Sequence, residues 1–239
     1  MFITFRKWTA IYIVCLTVLV FTFAAIMRLG ETVPTSSNIP VTHSLPILII
    51  DPGHGGEDGG AVGIDGTVES QVNLEISQRA AEIAALIGWP VRMTRTEDVS
   101  IYDANAETLR QKKISDMKNR VSFCDKIENG VLISIHQNSL PQARTARGAQ
   151  VFYYNEQQCL ELAQRVQCQL NRYFNTGREK QAKNIGSNSY LMKNASCPAI
   201  LIECGFLSNQ EECTLLQTKE YQNQIALVII HSAYNALIN

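Results

Sequence analysis

Short apolar runs alternate with longer stretches of helical periodicity along most of this chain. Residues 47–50, 131–135 and 199–202 are almost wholly aliphatic and bounded by polar residues, which predicts strands buried on both faces. From Glu69 the apolar positions Val72, Ile76, Ala80, Ile83, Ala84 and Ile87 recur at helical spacing, and Pro90 ends the pattern ahead of a short strand at 91–94. Helices are further predicted over 107–126, 157–173 and 221–237, and strands over 150–154 and 189–192. Strands alternating with helices imply an α/β domain whose largely parallel central sheet, of about six strands, is covered by helices on both faces.

The start of the chain has a different pattern. Residues 8–27 carry no charge and lie between Lys7 and Arg28. At about 1.5 Å of rise per residue such a helix matches a hydrocarbon core of about 30 Å. The run is longer than the apolar region of most signal peptides, and only Thr22-Phe-Ala24 resembles a cleavage site, so a single membrane anchor is the favoured reading and secretion after cleavage the rival. Arg6 and Lys7 predict a cytoplasmic tail at 1–7 and an extracytoplasmic bulk. Residues 28–46 hold three prolines and many small polar residues and read as a linker, leaving 47–239 as one globular domain.

Charge narrows the partners. The whole chain has a formal net charge of -1, and from Arg28 onward 19 basic residues face 22 acids, a charge of -3, which excludes the basic signature of nucleic-acid binding. The seven cysteines show no metal or redox spacing, and an odd number cannot all pair, so most are expected to be buried small hydrophobes. Cys204 should face the core.

Histidine is scarce, which sharpens the candidate chemistry. Of four, His43 falls in the linker and His231 in the last helix among Val228, Ile229 and Ile230, where a partly buried structural role is expected. His54 and His136 both close predicted strands that should be neighbours, and Glu203 closes a third. Ligands of open α/β sheets bind beyond the carboxyl ends of the strands. Two histidines at that edge, with Glu69 at the start of the first helix, offer a metal site with Glu203 in reserve. Glu69 alone has a simpler explanation, because an acid in a first helical turn is stabilised by the macrodipole. Glu203 has none, since a carboxylate desolvated after four apolar residues costs several kcal/mol unless paired or metal-bound. Asp51, Glu57 and Asp58 stay open as substitute ligands.

The strings from Ile50-Asp-Pro-Gly-His-Gly-Gly-Glu-Asp to Gly63, Glu69-Ser-Gln-Val-Asn-Leu, Ser134-Ile-His-Gln-Asn and Pro198-Ala-Ile-Leu-Ile-Glu-Cys-Gly-Phe-Leu-Ser-Asn resemble, in order and spacing, the zinc-dependent N-acetylmuramoyl-L-alanine amidases. That resemblance implies one Zn2+ held by His54, Glu69 and His136, with Glu203 as catalytic acid/base. It also implies a peptidoglycan hydrolase that cleaves the amide between the lactyl group of N-acetylmuramic acid and the L-alanine of the stem peptide. Small size, the single anchor and Ser189-Tyr-Leu-Met-Lys-Asn further resemble the spore-cortex branch, which implies a part in forming muramic-δ-lactam for germination and leaves room for an activating protein. Ser70, where lysine commonly follows the ligand glutamate, and Gln137, where relatives carry a smaller or apolar residue, depart from the family pattern. Arg144 and Arg147, in the loop after His136, are candidate contacts for stem-peptide carboxylates, with Asn138 beside them. Two alternatives stand beside this reading: a zinc carboxypeptidase acting inside the stem peptide, and a wall-binding protein without turnover, against which the retained Glu203 argues.

Overall fold

The computed structural model describes residues 16–18, 22 and 45–238. It separates into two units, Met1–Ser44 and Leu45–Asn239. In the first, the described residues are helical. No helix among the described residues is long and apolar enough to cross a membrane, and the expected anchor at 8–27 lies mostly outside them. So does the linker with His43.

The second unit runs β1 (Ile47–Pro52), α1 (Glu69–Leu86), β2 (Val91–Met93), α2 (Leu109–Asp125), β3 (Gly130–Asn138), β4 (Gln150–Tyr153), α3 (Glu156–Phe174), β5 (Lys183–Asn184), a 3-10 turn (Gly186–Asn188), α4 (Tyr190–Asn194), β6 (Ala199–Phe206), α5 (Gln210–Leu216) and α6 (Lys219–Ile238). One six-stranded sheet has the order β2-β1-β3-β6-β4-β5. All pairs are parallel except β4 with β6, so the sheet is the expected largely parallel one with a single antiparallel junction.

The aliphatic runs become strands because successive side chains face opposite sides and both sides are covered. Leu48 and Ile50 enter the larger core, with Val72, Ile76 and Ala80 of α1, Leu162, Val166 and Leu170 of α3, and Ile225 and Ile229 of α6. Ile49, Leu132 and Leu201 point the other way, into a smaller core closed by Cys124 of α2 and by Leu191 and Met192 of α4. Cys124, Cys159, Cys204 and Cys213 are buried as expected of small hydrophobes, whereas Cys168 is exposed.

Two expectations need correction. Residues 189–192 are not a strand: Ser189 caps α4 by accepting the Met192 N–H, and Leu191 and Met192 bury as one turn of helix. The edge strand is instead the polar pair Lys183–Asn184, which has no apolar pattern to announce it. His231 is exposed rather than partly buried, its ring beside Asn235 one turn on.

Candidate metal centre

The site sits where β1, β3 and β6 end on the same edge. β1 pairs with β3 and β3 with β6, all parallel, and the register sets His136 opposite Glu203. His54 lies just past β1, and its backbone is left-handed, φ 61°, a conformation uncommon for any residue with a Cβ. Two buried arginines hold it there. Arg120, on α2, donates to the carbonyls of Pro52 and His54 at 2.8 and 2.7 Å. Arg95, after β2, donates to those of Pro52 and Gly53 at 2.9 and 3.0 Å.

Glu69 is the first residue of α1, whose N-cap, Val68, has no side chain to offer. The orphan amides of that helix end go to the glycine-rich loop instead: Glu69 N–H to Ala61 O at 3.0 Å and Ser70 N–H to Gly59 O at 3.0 Å. The loop and the helix start are thereby tied together, and Glu69 is buried against both histidines.

One carboxylate oxygen, Glu69 Oε1, lies 3.1 Å from His136 Nδ1 and 3.4 Å from His54 Nε2. The imidazole rings meet edge to face with centroids 5.0 Å apart. One donor atom from each of His54, Glu69 and His136 falls within 4.8 Å of the others, so the three could hold a metal ion between them. His54 Nδ1 turns away to Asp58 Oδ2 at 3.1 Å, the outer carboxylate partner that orients metal-binding histidines. Oxygens of Glu69 also accept from the Gln137 and Ala61 amides and from Asn73 Nδ2. Gly53 and Gly60 are obligatory here: a Cβ on Gly53 would stand 2.2 Å from His136 Cε1, and one on Gly60, at φ +72°, 2.5 Å from Glu69 Oε2.

Electrostatics follow this geometry. Burial lowers the His54 pKa, but hydrogen bonds to Asp58 and Glu69 outweigh it and raise it to about 9. Burial raises Glu69, yet the two imidazoles drive it well below the carboxylate range. Glu203 goes the other way. Burial, reinforced by the nearby Glu69 charge against the pull of His136, pushes it up to about 7. Its Oε2 is closed off from solvent and has no hydrogen-bond partner. A cleft of about 400 Å³ opens over these groups, walled by Lys113, Met117 and Arg120 of α2, Leu201 of β6, and Ser189, Tyr190 and Leu191 at α4.

The three acids left open in the sequence now have distinct places. Asp51 is buried beneath the cleft, bound to Arg120, Thr94 and Ser134. Glu57 pairs with Lys112 at 2.7 Å on the surface. Asp58 bridges His54 and Lys113. Gln137, a departure from the family pattern, points into the protein and donates to Asn73 Oδ1 at 3.2 Å, so it braces the residue that braces Glu69 rather than entering the cleft. Of the expected substrate contacts, Asn138 and Arg147 line a second groove along the sheet, with Arg147 held by Glu211 at 2.8 Å. Arg144 is exposed and lines neither cavity; its backbone carbonyl accepts from Asn209. Arg95, Arg120 and Asn73 were invisible to periodicity, since an Arg in a charged helix reads as solvated until the strands arrive beneath it.

A six-stranded α/β sheet with two histidines and two glutamates gathered at its parallel strand ends has the site of an α/β hydrolytic enzyme. Residues 48–235 match the N-acetylmuramoyl-L-alanine amidase family (Amidase_3), and the chain belongs to it. It is 39% identical over 181 residues to the germination-specific N-acetylmuramoyl-L-alanine amidase of Bacillus subtilis, covering 75% of each chain. It is also similar to the CwlD amidase of Clostridioides difficile, solved in complex with the GerS lipoprotein, at 36% identity and TM-score 0.76 over 80% of this chain and 98% of that one. The AmiC2 amidase of Nostoc punctiforme superposes with TM-score 0.67 at 29% identity, over 81% of this chain and 98% of that one.

Proposed function

We propose that this chain is a zinc-dependent amidase that separates the lactyl group of N-acetylmuramic acid from the L-alanine of the stem peptide, and that it prepares spore cortex for germination. The single observation that carries the catalytic reading is the unpartnered Oε2 of Glu203, half-buried across from His136 and with a pKa lifted to about 7. The similarity to the germination-specific relative supports the cortex role.

His54, Glu69 and His136 would hold the metal. They fit it: two imidazoles and a carboxylate crowd their donor atoms together, His54 is oriented by Asp58, and Glu69 has its remaining lone pairs occupied by amides. Zinc in such a site supplies a Lewis acid that polarises a carbonyl and acidifies water toward a pKa of about 7. Glu203 takes the proton of the attacking water at a carboxylate oxygen and returns it to the departing L-alanine nitrogen. Arg120 and Arg95 hold the His54 loop in place through its backbone carbonyls. A pure binding protein has no use for a half-buried base with an unpartnered oxygen, which argues against turnover-free wall binding.

Residues 8–27 are proposed to anchor the chain with residues 47–239 outside, joined by the linker 28–46. A partner protein is proposed as well, supported by the lipoprotein complex of the similar Clostridioides difficile amidase. The activity is tested by incubating the purified chain with cortex peptidoglycan, with and without zinc, and identifying the products by mass spectrometry. Zinc-dependent release of peptides with a free N-terminal L-alanine is expected; cleavage inside the stem peptide would assign the carboxypeptidase alternative instead.

A further inference from the structure

Beside the catalytic cleft, on the same face of the sheet, runs a second groove of about 760 Å³. The register makes the two neighbours: Gln150 of β4, which lines the groove, lies directly opposite Glu203 in the antiparallel β4–β6 pair, and so shares its face. The groove is basic in a chain whose net charge is slightly negative. Arg147, Arg178, Lys180 and Lys183 line it against one acid, Glu179. Glu179 is turned to its own turn, accepting from the Gly177 amide at 3.0 Å. Arg147 is already neutralised by Glu211. No carboxylate among the described residues pairs with Arg178 or Lys183.

Lys180 is the built part of this surface. It is partly buried, its ammonium 4.9 Å from the centroid of the Phe206 ring and donating to the Gly148 carbonyl. Burial, helped by the neighbouring Lys183 and opposed by the Glu212 and Glu203 charges, lowers its pKa. Behind it, Glu212 accepts the Gly148 amide at 2.8 Å and the Phe206 amide at 2.9 Å, which holds both the carbonyl and the ring that position the ammonium. Lys180 therefore presents its remaining donors to the groove from a fixed place.

The sugar side of the substrate bears no free carboxylate, because the lactyl carboxyl is tied up in the scissile amide. Free carboxylates occur only on the peptide side. We propose that this groove is the peptide subsite of the amidase activity proposed above, in which Lys180, with Arg178 and Lys183 around it, binds a free carboxylate of the stem peptide while Glu203 acts at the L-alanine nitrogen. An ammonium and a guanidinium are suited to that group as charge-assisted donors. The subsite sets specificity for acidic over amidated stems and places the peptide along β4 and β5.

The test compares two soluble muramoyl-peptides, one with free peptide carboxylates and one with the same carboxylates converted to carboxamides. Both are offered to the wild-type chain, to the surface double variant Arg178→Ala/Lys183→Ala, and to Lys180→Gln. Wild type is expected to favour the acidic substrate by at least about tenfold in kcat/KM, the scale of one charge-assisted hydrogen bond, with most of the difference in KM. Both variants should lose that preference, through a fall in kcat/KM on the acidic substrate larger than any change on the amidated one, so a folding defect in Lys180→Gln would reveal itself as an equal loss on both. Cleavage of both substrates by wild type at equal efficiency, or an equal loss on both in the double variant, would overturn the subsite and leave the amidase reading standing. Cleavage of neither at the L-alanine bond by wild type would overturn the amidase reading and the subsite with it.

Discussion

Replacing Asp51 by Asn measures what the buried ion pair under the site contributes. Asp51 is 1% exposed; its Oδ1 accepts from Arg120 Nη1 at 2.6 Å and Thr94 Oγ1 at 2.7 Å, and its Oδ2 from Ser134 Oγ at 2.6 Å. Asn keeps the shape but leaves a fully buried guanidinium with Asp116 as its remaining counterion. Breaking such a pair from one side costs about 3 kcal/mol, the low end of the range because Asp116 stays. A second route gives a similar figure. Burial raises the Asp51 carboxyl, but Arg120 and the two hydroxyls outweigh it and bring it from 3.8 to about 2. At about 1.4 kcal/mol per tenfold change in proton affinity, that is about 2 to 3 kcal/mol. The carboxyl is more acidic folded than unfolded, so its contribution is present in full above its unfolded value and is lost as pH falls through about 2. Urea unfolding of metal-free wild type and Asp51→Asn, followed by circular dichroism from pH 7 to pH 3, should show a gap of about 3 kcal/mol at neutral pH that is about halved by pH 3. A gap under about 1 kcal/mol at pH 7, or one that stays constant down to pH 3, would refute the assignment of stability to this pair.

The other expectations are more local. His54→Ala, Glu69→Ala and His136→Ala should each lower bound zinc together with activity, whereas Glu203→Gln should keep the metal and lose at least about 10²-fold in kcat; metal analysis and turnover on the four purified variants separate the roles, and metal loss in Glu203→Gln would make it a ligand. Gly60→Ala puts a methyl group against Glu69 and His54 in a left-handed backbone, so its zinc affinity, read by competition with a chelating dye, should fall by at least about tenfold, given a strain of about 1 to 3 kcal/mol; unchanged affinity would show that the loop yields. Protease added outside intact cells should digest residues 47–239 and spare 1–7, while recovery of a soluble form lacking the first two dozen residues would mean that the apolar segment is cleaved.

Five of the six strands, the main helices and the chemistry at their ends were legible in the sequence. Aliphatic runs at 47–50, 131–135 and 199–202 admit little besides strands buried on both faces, and a strand that ends in His or Glu delivers that side chain to the sheet edge whatever the neighbouring packing. Helical periodicity from Glu69 likewise sets that carboxylate in the first turn of α1. Local pattern stops where a residue's role depends on what lies across from it. Residues 189–192 carry too few apolar positions to separate a strand from one turn of helix, and capping by Ser189 together with the smaller core decided for helix. Asp51, Glu57 and Asp58 are chemically alike and close in sequence; only the arrival of Arg120, Lys112 and Lys113 from α2 makes one a buried counterion, one a surface partner and one the support of His54. The basic groove depends on tertiary structure in the same way, since Arg147, Arg178, Lys180 and Lys183 come together beside Glu203 only because β4 pairs antiparallel to β6. Periodicity reports which face of an element is buried, whereas the partner of a buried charge is set by contacts between residues far apart in the chain, and those exist only once the sheet has formed.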